Sequence, residues 1–197
     1  MSQLVLDRLK TRFGAAILET HSSHGDETAV VTPESWRAVC QFLRDDPAMS
    51  FEMLTDLCGV DFPDRLPRME VVAHLYSISR RHRVRLKTRI GDAELSAGTV
   101  ELDSVTPVWK TADWLERETF DMSGVVFREH PDLRRILMYP EFVGHPLRKD
   151  YPAQKAQPLV EYRTEEEAGL PLEKLAPFGP DEGMSFGRRT YTRSEEN

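Results

Sequence analysis

Met69-Glu70-Val71-Val72-Ala73-His74-Leu75-Tyr76-Ser77-Ile78-Ser79 runs into Arg80-Arg81-His82, and then into Arg83-Val84-Arg85-Leu86-Lys87-Thr88-Arg89-Ile90. The first part is apolar or β-branched on both faces, which suits an interior strand. Arg80-Arg81-His82 turns the chain back. In the second part Val84, Leu86, Thr88 and Ile90 alternate with Arg83, Arg85, Lys87 and Arg89. Period two puts one face into a core and leaves four positive charges on the other. Two strands in succession, with no helix between them, call for antiparallel pairing.

Outward from this hairpin, helical spacing takes over. Trp36, Val39, Cys40 and Leu43 form one apolar stripe, with Thr32 offered as cap and Pro33 at the first position. Ala16 to Thr20 and Thr28 to Val31 read as strands around His24-Gly25-Asp26. Leu6, Leu9 and Phe13 suggest an opening helix stopped at Gly14. A third helix is expected from Thr106-Pro107, burying Val108, Ala112, Leu115, Thr119 and Met122 and ending at Gly124. A short fourth helix from Pro131 would bury Leu133, Ile136 and Leu137. The order is helix, hairpin, helix, hairpin, helix, helix. It predicts an α+β domain, with a mixed, largely antiparallel sheet and helices packed on it. That domain is expected over 1–152. From 153 to 197 prolines and glycines alternate with single apolar residues, and no period of 2 or 3.6 holds. An extended arm lying on another protein is the reading favoured over a disordered tail.

Bulk properties exclude several functions. The chain has 197 residues, 40% hydrophobic and 30% charged, with net charge −7. A global attraction to nucleic acid or anionic lipid is excluded by that sign. No apolar run approaches the roughly 20 residues of a membrane span, and the N-terminus lacks the pattern of a signal peptide. Cys40 and Cys58 are too few to hold an iron–sulfur cluster unaided. They are expected as buried thiols in a reducing compartment. No glycine pattern fits a dinucleotide or phosphate loop. His21 and His24 are expected as surface residues. Ser123-Gly124 lies at a helix end, outside any nucleophile elbow.

Charge concentrates in 116–150. Glu116-Arg117-Glu118 and Asp121 share a helix; His130-Pro131-Asp132-Leu133-Arg134-Arg135 follows, then Gly144-His145-Pro146-Leu147-Arg148-Lys149-Asp150. Each proline holds the preceding histidine extended. Arginine forks bind carboxylates bidentately and tolerate partial burial. A rigid, charge-paired docking surface is one reading. A metal site of His130 and His145 with Asp132 or Asp150 is a second, although the spacing fits no known metal signature. A third is nucleic-acid binding by 80–89, where six of ten residues are Lys or Arg. Exposed aromatics for base stacking are missing there. An acidic protein partner fits better, and a charged edge strand fits equally well.

Those residues, together with Met122, Gly124-Val125, Phe127 and Ile136-Leu137, resemble the signature of one family. It is the 30 kDa subunit of respiratory complex I, the C-type subunit of bacterial NADH-quinone oxidoreductase. The likeness is strongest over 116–150, and the order of elements is compatible from 30 to 163. Ser123 stands where the family usually has an aromatic, and Tyr151-Pro152-Ala153 replaces its usual Phe-Pro-Leu.

The resemblance implies a peripheral-arm subunit on the cytoplasmic side of the bacterial inner membrane. It implies partners in subunits D and B, which form the quinone pocket, and in the ferredoxin-like subunit I. It implies no cofactor in this chain, FMN and iron–sulfur clusters belonging to partner subunits. The whole complex would pass electrons from NADH to quinone and pump protons. On that reading Glu116, Arg117, Glu118, Asp121, His130, Asp132, Arg134, Arg135, His145, Arg148, Lys149 and Asp150 form a subunit interface. No catalytic residue is expected.

Overall fold

A computed structural model describes residues 2–158. The elements are α1 (Ser2–Phe13), β1 (Ile17–Ser23), β2 (Asp26–Val31), α2 (Trp36–Asp45), β3 (Met53–Asp61), β4 (Met69–Ser77), β5 (His82–Ile90), β6 (Glu101–Asp103), α3 (Ala112–Ser123) and β7 (Val126–Arg128). Five strands form one sheet in the order β1-β2-β5-β4-β3, and β6 pairs with β7 in a second. The pairs β1/β2, β3/β4 and β4/β5 are antiparallel, and β2/β5 is parallel. The α+β expectation, with a mixed and largely antiparallel sheet, holds.

The β4–β5 hairpin behaves as its pattern predicts. Val84, Leu86, Thr88 and Ile90 are buried. The three apolar ones join the core with Val5, Leu6 and Leu9 of α1 and the α2 stripe. All four α2 stripe residues have no exposure. The β1–β2 turn places His24 and Gly25 at positive φ (55° and 84°), the backbone of a tight hairpin turn.

Several expectations need correction. β5 is central, paired on both sides, so the edge-strand reading of its charges fails. Thr32 makes no side-chain cap; Pro33–Ser35 forms a single 3-10 turn before α2. The third helix starts at Ala112, because Val105 O takes the amides of Val108 and Trp109 in a separate turn. No helix forms at 131–137. Of the two thiols Cys40 is buried, but Cys58 is only half-buried. The sequence shows no β3, because a register shift between Leu54 and Asp56 breaks its alternation. β6 and β7 are only three residues each. The arm expected over 153–197 lies outside the described residues from 159 onward.

Candidate functional site

The segment after β7 has almost no backbone ladder of its own, so its polar groups must find partners elsewhere. They find them on α3. An α-helix ends with carbonyls that lack intrahelical partners. In α3 a second stretch of chain takes them. His145 Nδ1 donates to Asp121 O at 3.0 Å, and the Leu147 amide donates to Met122 O at 3.0 Å. Arg148 donates to Ser123 O at 2.8 Å and Gly124 O at 3.4 Å. Gly124 itself is left-handed (φ 77°), and its amide returns to Phe120 O. A Cβ there would lie 2.3 Å from Arg148 Nη2 and 2.6 Å from the His145 ring, so glycine is needed for both reasons. Burial holds His145 below the usual histidine range.

Asp121 organises the middle of the segment. Its side chain is fully buried. Oδ2 accepts the amides of Ile136, Leu137 and Met138 at 3.1, 2.8 and 2.8 Å, and Oδ1 accepts Arg135 Nη1 at 2.6 Å. Burial alone would raise its pKa, but the three amides and Arg135 win and hold it below the ordinary carboxylate range. Arg135 also donates to Gly144 O at 2.9 Å. This fan replaces the expected fourth helix: Leu133 and Ile136 are half-buried and Leu137 is exposed.

Glu116 points inward. Its carboxylate accepts Ser104 Oγ at 2.6 Å and the Val105 amide at 2.7 Å, tying α3 to the turn before it. Burial pushes its pKa up to about 7. His130 is anchored close by. Its Nε2 donates to Asp113 O at 3.1 Å, and its Nδ1 accepts the Asp132 amide at 3.0 Å. The Asp132 carboxylate meets Arg134 at 2.8 Å, where both side chains are exposed. Arg117 donates to the carbonyls of Arg134 and Arg135. Glu118 and the Lys149 side chain face solvent.

The far end is pinned to the sheet by two residues outside the charged block. Asp61 and Arg68 form a buried, bidentate pair at 2.7 and 2.8 Å. Asp61 also accepts the Lys149 amide at 2.8 Å, and Arg68 meets Asp150 at 3.1 Å. Sequence reasoning misses this pair, and no local pattern marks it, since Asp61 ends β3 and Arg68 precedes β4.

These contacts separate His130 from His145. Each ring is spent on a different carbonyl, and Asp132 and Asp150 face arginines. Among the described residues, no group of three or more His, Cys, Asp or Glu is placed to hold a metal ion. The basic strand is likewise met from within. Glu70 reaches Lys87 at 2.9 Å, Arg65 at 3.0 Å and Arg89 at 3.4 Å, and Glu19 reaches Arg89 at 2.8 Å. Asp26 lies 3.8 and 3.9 Å from Arg83 and Arg85.

With many of its charges turned inward, the segment shows apolar groups outward. Leu137, Tyr139, Val143 and Leu147 are 38–58% exposed, and Trp114 on α3 is 68% exposed. Sequence reasoning misses these too. Their signal is large apolar residues among Pro140, Gly144 and Pro146, which forbid the helix or strand that would hide them.

Fold and site together define an α+β domain whose irregular segment closes the end of a helix and displays an apolar surface. Comparison with known proteins narrows this to one family. Residues 29–157 match the family model "Respiratory-chain NADH dehydrogenase, 30 Kd subunit", and the chain belongs to this family. It is 49% identical over 170 residues to the second of the C-type NADH-quinone oxidoreductase subunits of Rhizobium etli (strain CIAT 652), covering 86% of this chain and 80% of that one. It is 43% identical over 147 residues to the C-type NADH-quinone oxidoreductase subunit of Geotalea uraniireducens (strain Rf4), covering 75% and 85%. Among solved structures it resembles "Nqo5 of the trypsin-resistant fragment (1-134)" with TM-score 0.54 and 26% identity, over 66% of this chain and 98% of that chain. A chain of the membrane-bound sulfane sulfur reductase, an archaeal respiratory membrane complex, shares the fold at TM-score 0.65 and 20% identity, over 78% and 86%.

Proposed function

We propose that the chain is a structural subunit in the peripheral arm of a proton-pumping NADH:quinone oxidoreductase. It carries no redox group and no catalytic residue of its own; FMN and the iron–sulfur clusters belong to its partners. It seats on the quinone-site subunits D and B, beside subunit I, on the cytoplasmic face of the bacterial inner membrane. No helix among the described residues is long and apolar enough to cross a membrane, which fits attachment through the complex. One observation carries this reading. Charges of 116–150 are spent in fixing an irregular segment that presents Leu137, Tyr139, Val143 and Leu147 to solvent. An exposed apolar surface on a preordered backbone loses little entropy on binding.

Within this interface Glu116 and Asp121 act from beneath the surface. Glu118, Asp132, Arg134 and Lys149 are exposed charges of this face and meet a partner. Co-expression with the D-type quinone-pocket partner, with an affinity tag on this chain, tests the reading. A stable complex is expected, and it should be lost in Leu137→Ser/Leu147→Ser while the unfolding midpoint stays near that of wild type. Failure of the wild-type chain to retain that partner overturns it.

A further inference from the structure

One cleft in this surface has an unbalanced charge. It lies between α3 and the turns that follow β7, encloses about 400 Å3, and is lined by Arg117, Phe120, Leu133, Arg134, Arg135 and Pro140. Asp121 neutralises Arg135 from below. Asp132 pairs with Arg134 where both are exposed, a contact that water weakens. Arg117 meets no carboxylate among the described residues. Its Nε and Nη2 donate to the carbonyls of Arg134 and Arg135 at 3.1 and 3.3 Å, and its other N–H groups meet no acceptor among the described residues. Those two bonds fix the plane of the guanidinium, so a further bond to it loses little side-chain freedom.

A fixed planar fork beside an apolar slot suits a carboxylate carried next to an apolar side chain. We propose that this cleft receives an acidic segment of the partner polypeptide. Its carboxylate meets Arg117 and competes with Asp132 for Arg134. A neighbouring apolar side chain packs on Phe120 and Leu133. The cleft is at the small end of the range for ligand pockets, which is room for one or two side chains. The inference rests on the docking function proposed above and adds the chemistry of what is docked.

The test uses the full chain co-expressed with the D-type partner, with association measured across a salt series. Arg117→Gln should weaken association about tenfold at low salt and flatten its salt dependence, as loss of a charged hydrogen bond requires. Arg117→Lys keeps the charge and should keep most of that salt dependence. Unfolding midpoints of both variants should stay close to wild type. Weaker association with a wild-type salt dependence would mean that Arg117 only holds the 134–135 backbone, and the proposal falls. An unchanged affinity in Arg117→Gln, with Leu137→Ser/Leu147→Ser still disruptive, overturns the cleft while leaving the docking reading intact. A wild-type chain that never associates overturns both.

Discussion

Asp121→Asn isolates the device that holds the irregular segment. In the wild type one carboxylate serves three backbone amides on Oδ2 and Arg135 on Oδ1. An asparagine oxygen can keep the amide fan, but its NH2 group then faces Arg135 Nη1, donor against donor. Arg135 is only 16% exposed and would lose its counter-charge. Breaking a buried pair costs about 3–5 kcal/mol. The lower end applies here, because the carbonyls of Asp121 and Gly144 still accept from Arg135. Making the three amide bonds neutral takes about 1 kcal/mol more. The sum, about 4 kcal/mol, is large against a typical domain stability of about 5–15 kcal/mol. It should fall on local opening first. Amide exchange at Ile136, Leu137 and Met138 should therefore quicken by about a thousandfold, while central β5 amides change far less. Protection at those three amides within threefold of wild type would refute the role given to Asp121. Acid should mimic the substitution. Because its pKa is lowered in the fold, Asp121 stabilises above its ordinary value near 3.8 and ceases to as pH falls through the folded value.

Glu116 runs the opposite way. With its pKa raised from 4.5 to about 7, it stabilises most when protonated, and that contribution is withdrawn as pH rises through 7. The gap between wild-type and Glu116→Gln unfolding free energies should change by about 3 kcal/mol from pH 4.5 to 7.5. His74 and His145, both lowered by burial, also titrate on the acid side of neutrality. Only the difference between the two profiles therefore reports Glu116, and parallel profiles would refute its assignment. Gly59→Ala places a methyl 3.1 Å from Ser123 and Thr119, where α3 crosses β3. It should cost about 1–3 kcal/mol in urea unfolding, as overpacking does. Arg148→Ala strips two bonds from the end of α3 and should cost about 2 kcal/mol. Arg134→Ala, whose one ion pair among the described residues is at the surface, should cost less than about 0.5 kcal/mol in the same assay.

What can be read from sequence is whatever depends on near neighbours. The α2 stripe, the alternation in β5 and the stop at Gly124 each involve a few adjacent residues. β3 escapes because its bulge puts Leu54 and Leu57 inward at a spacing of three, which breaks strand alternation. At 131–137 the spacing of Leu133, Ile136 and Leu137 truly is helical. The amides of 136–138 go instead to a carboxylate on another element, a tertiary partner that local periodicity cannot register. The site divides the same way. The charged residue types of 116–150 are legible, but their direction is not. Glu116 beside Arg117 reads as surface until the turn at Ser104 and Val105 is known to need an acceptor. The apolar groups that end up outside are hidden by the assumption that apolar means inside.

The place of β5 also sets an order of assembly. Of the five strands in the large sheet it comes last along the chain, yet it lies in the middle, bonded to β4 on one side and β2 on the other. Its contact with β4 closes across a short turn and costs little chain entropy. Its parallel contact with β2 must close a loop containing α2, β3 and β4, the slower kind of step. The β1–β2 hairpin leaves the ribosome early but has no sheet to join until β5 has followed. Until then the backbone edge of Ala29, Val30 and Val31 stands open. A chain stalled before Arg85 would therefore carry a finished hairpin with nothing to pair against, which is the form most exposed to capture by other strands.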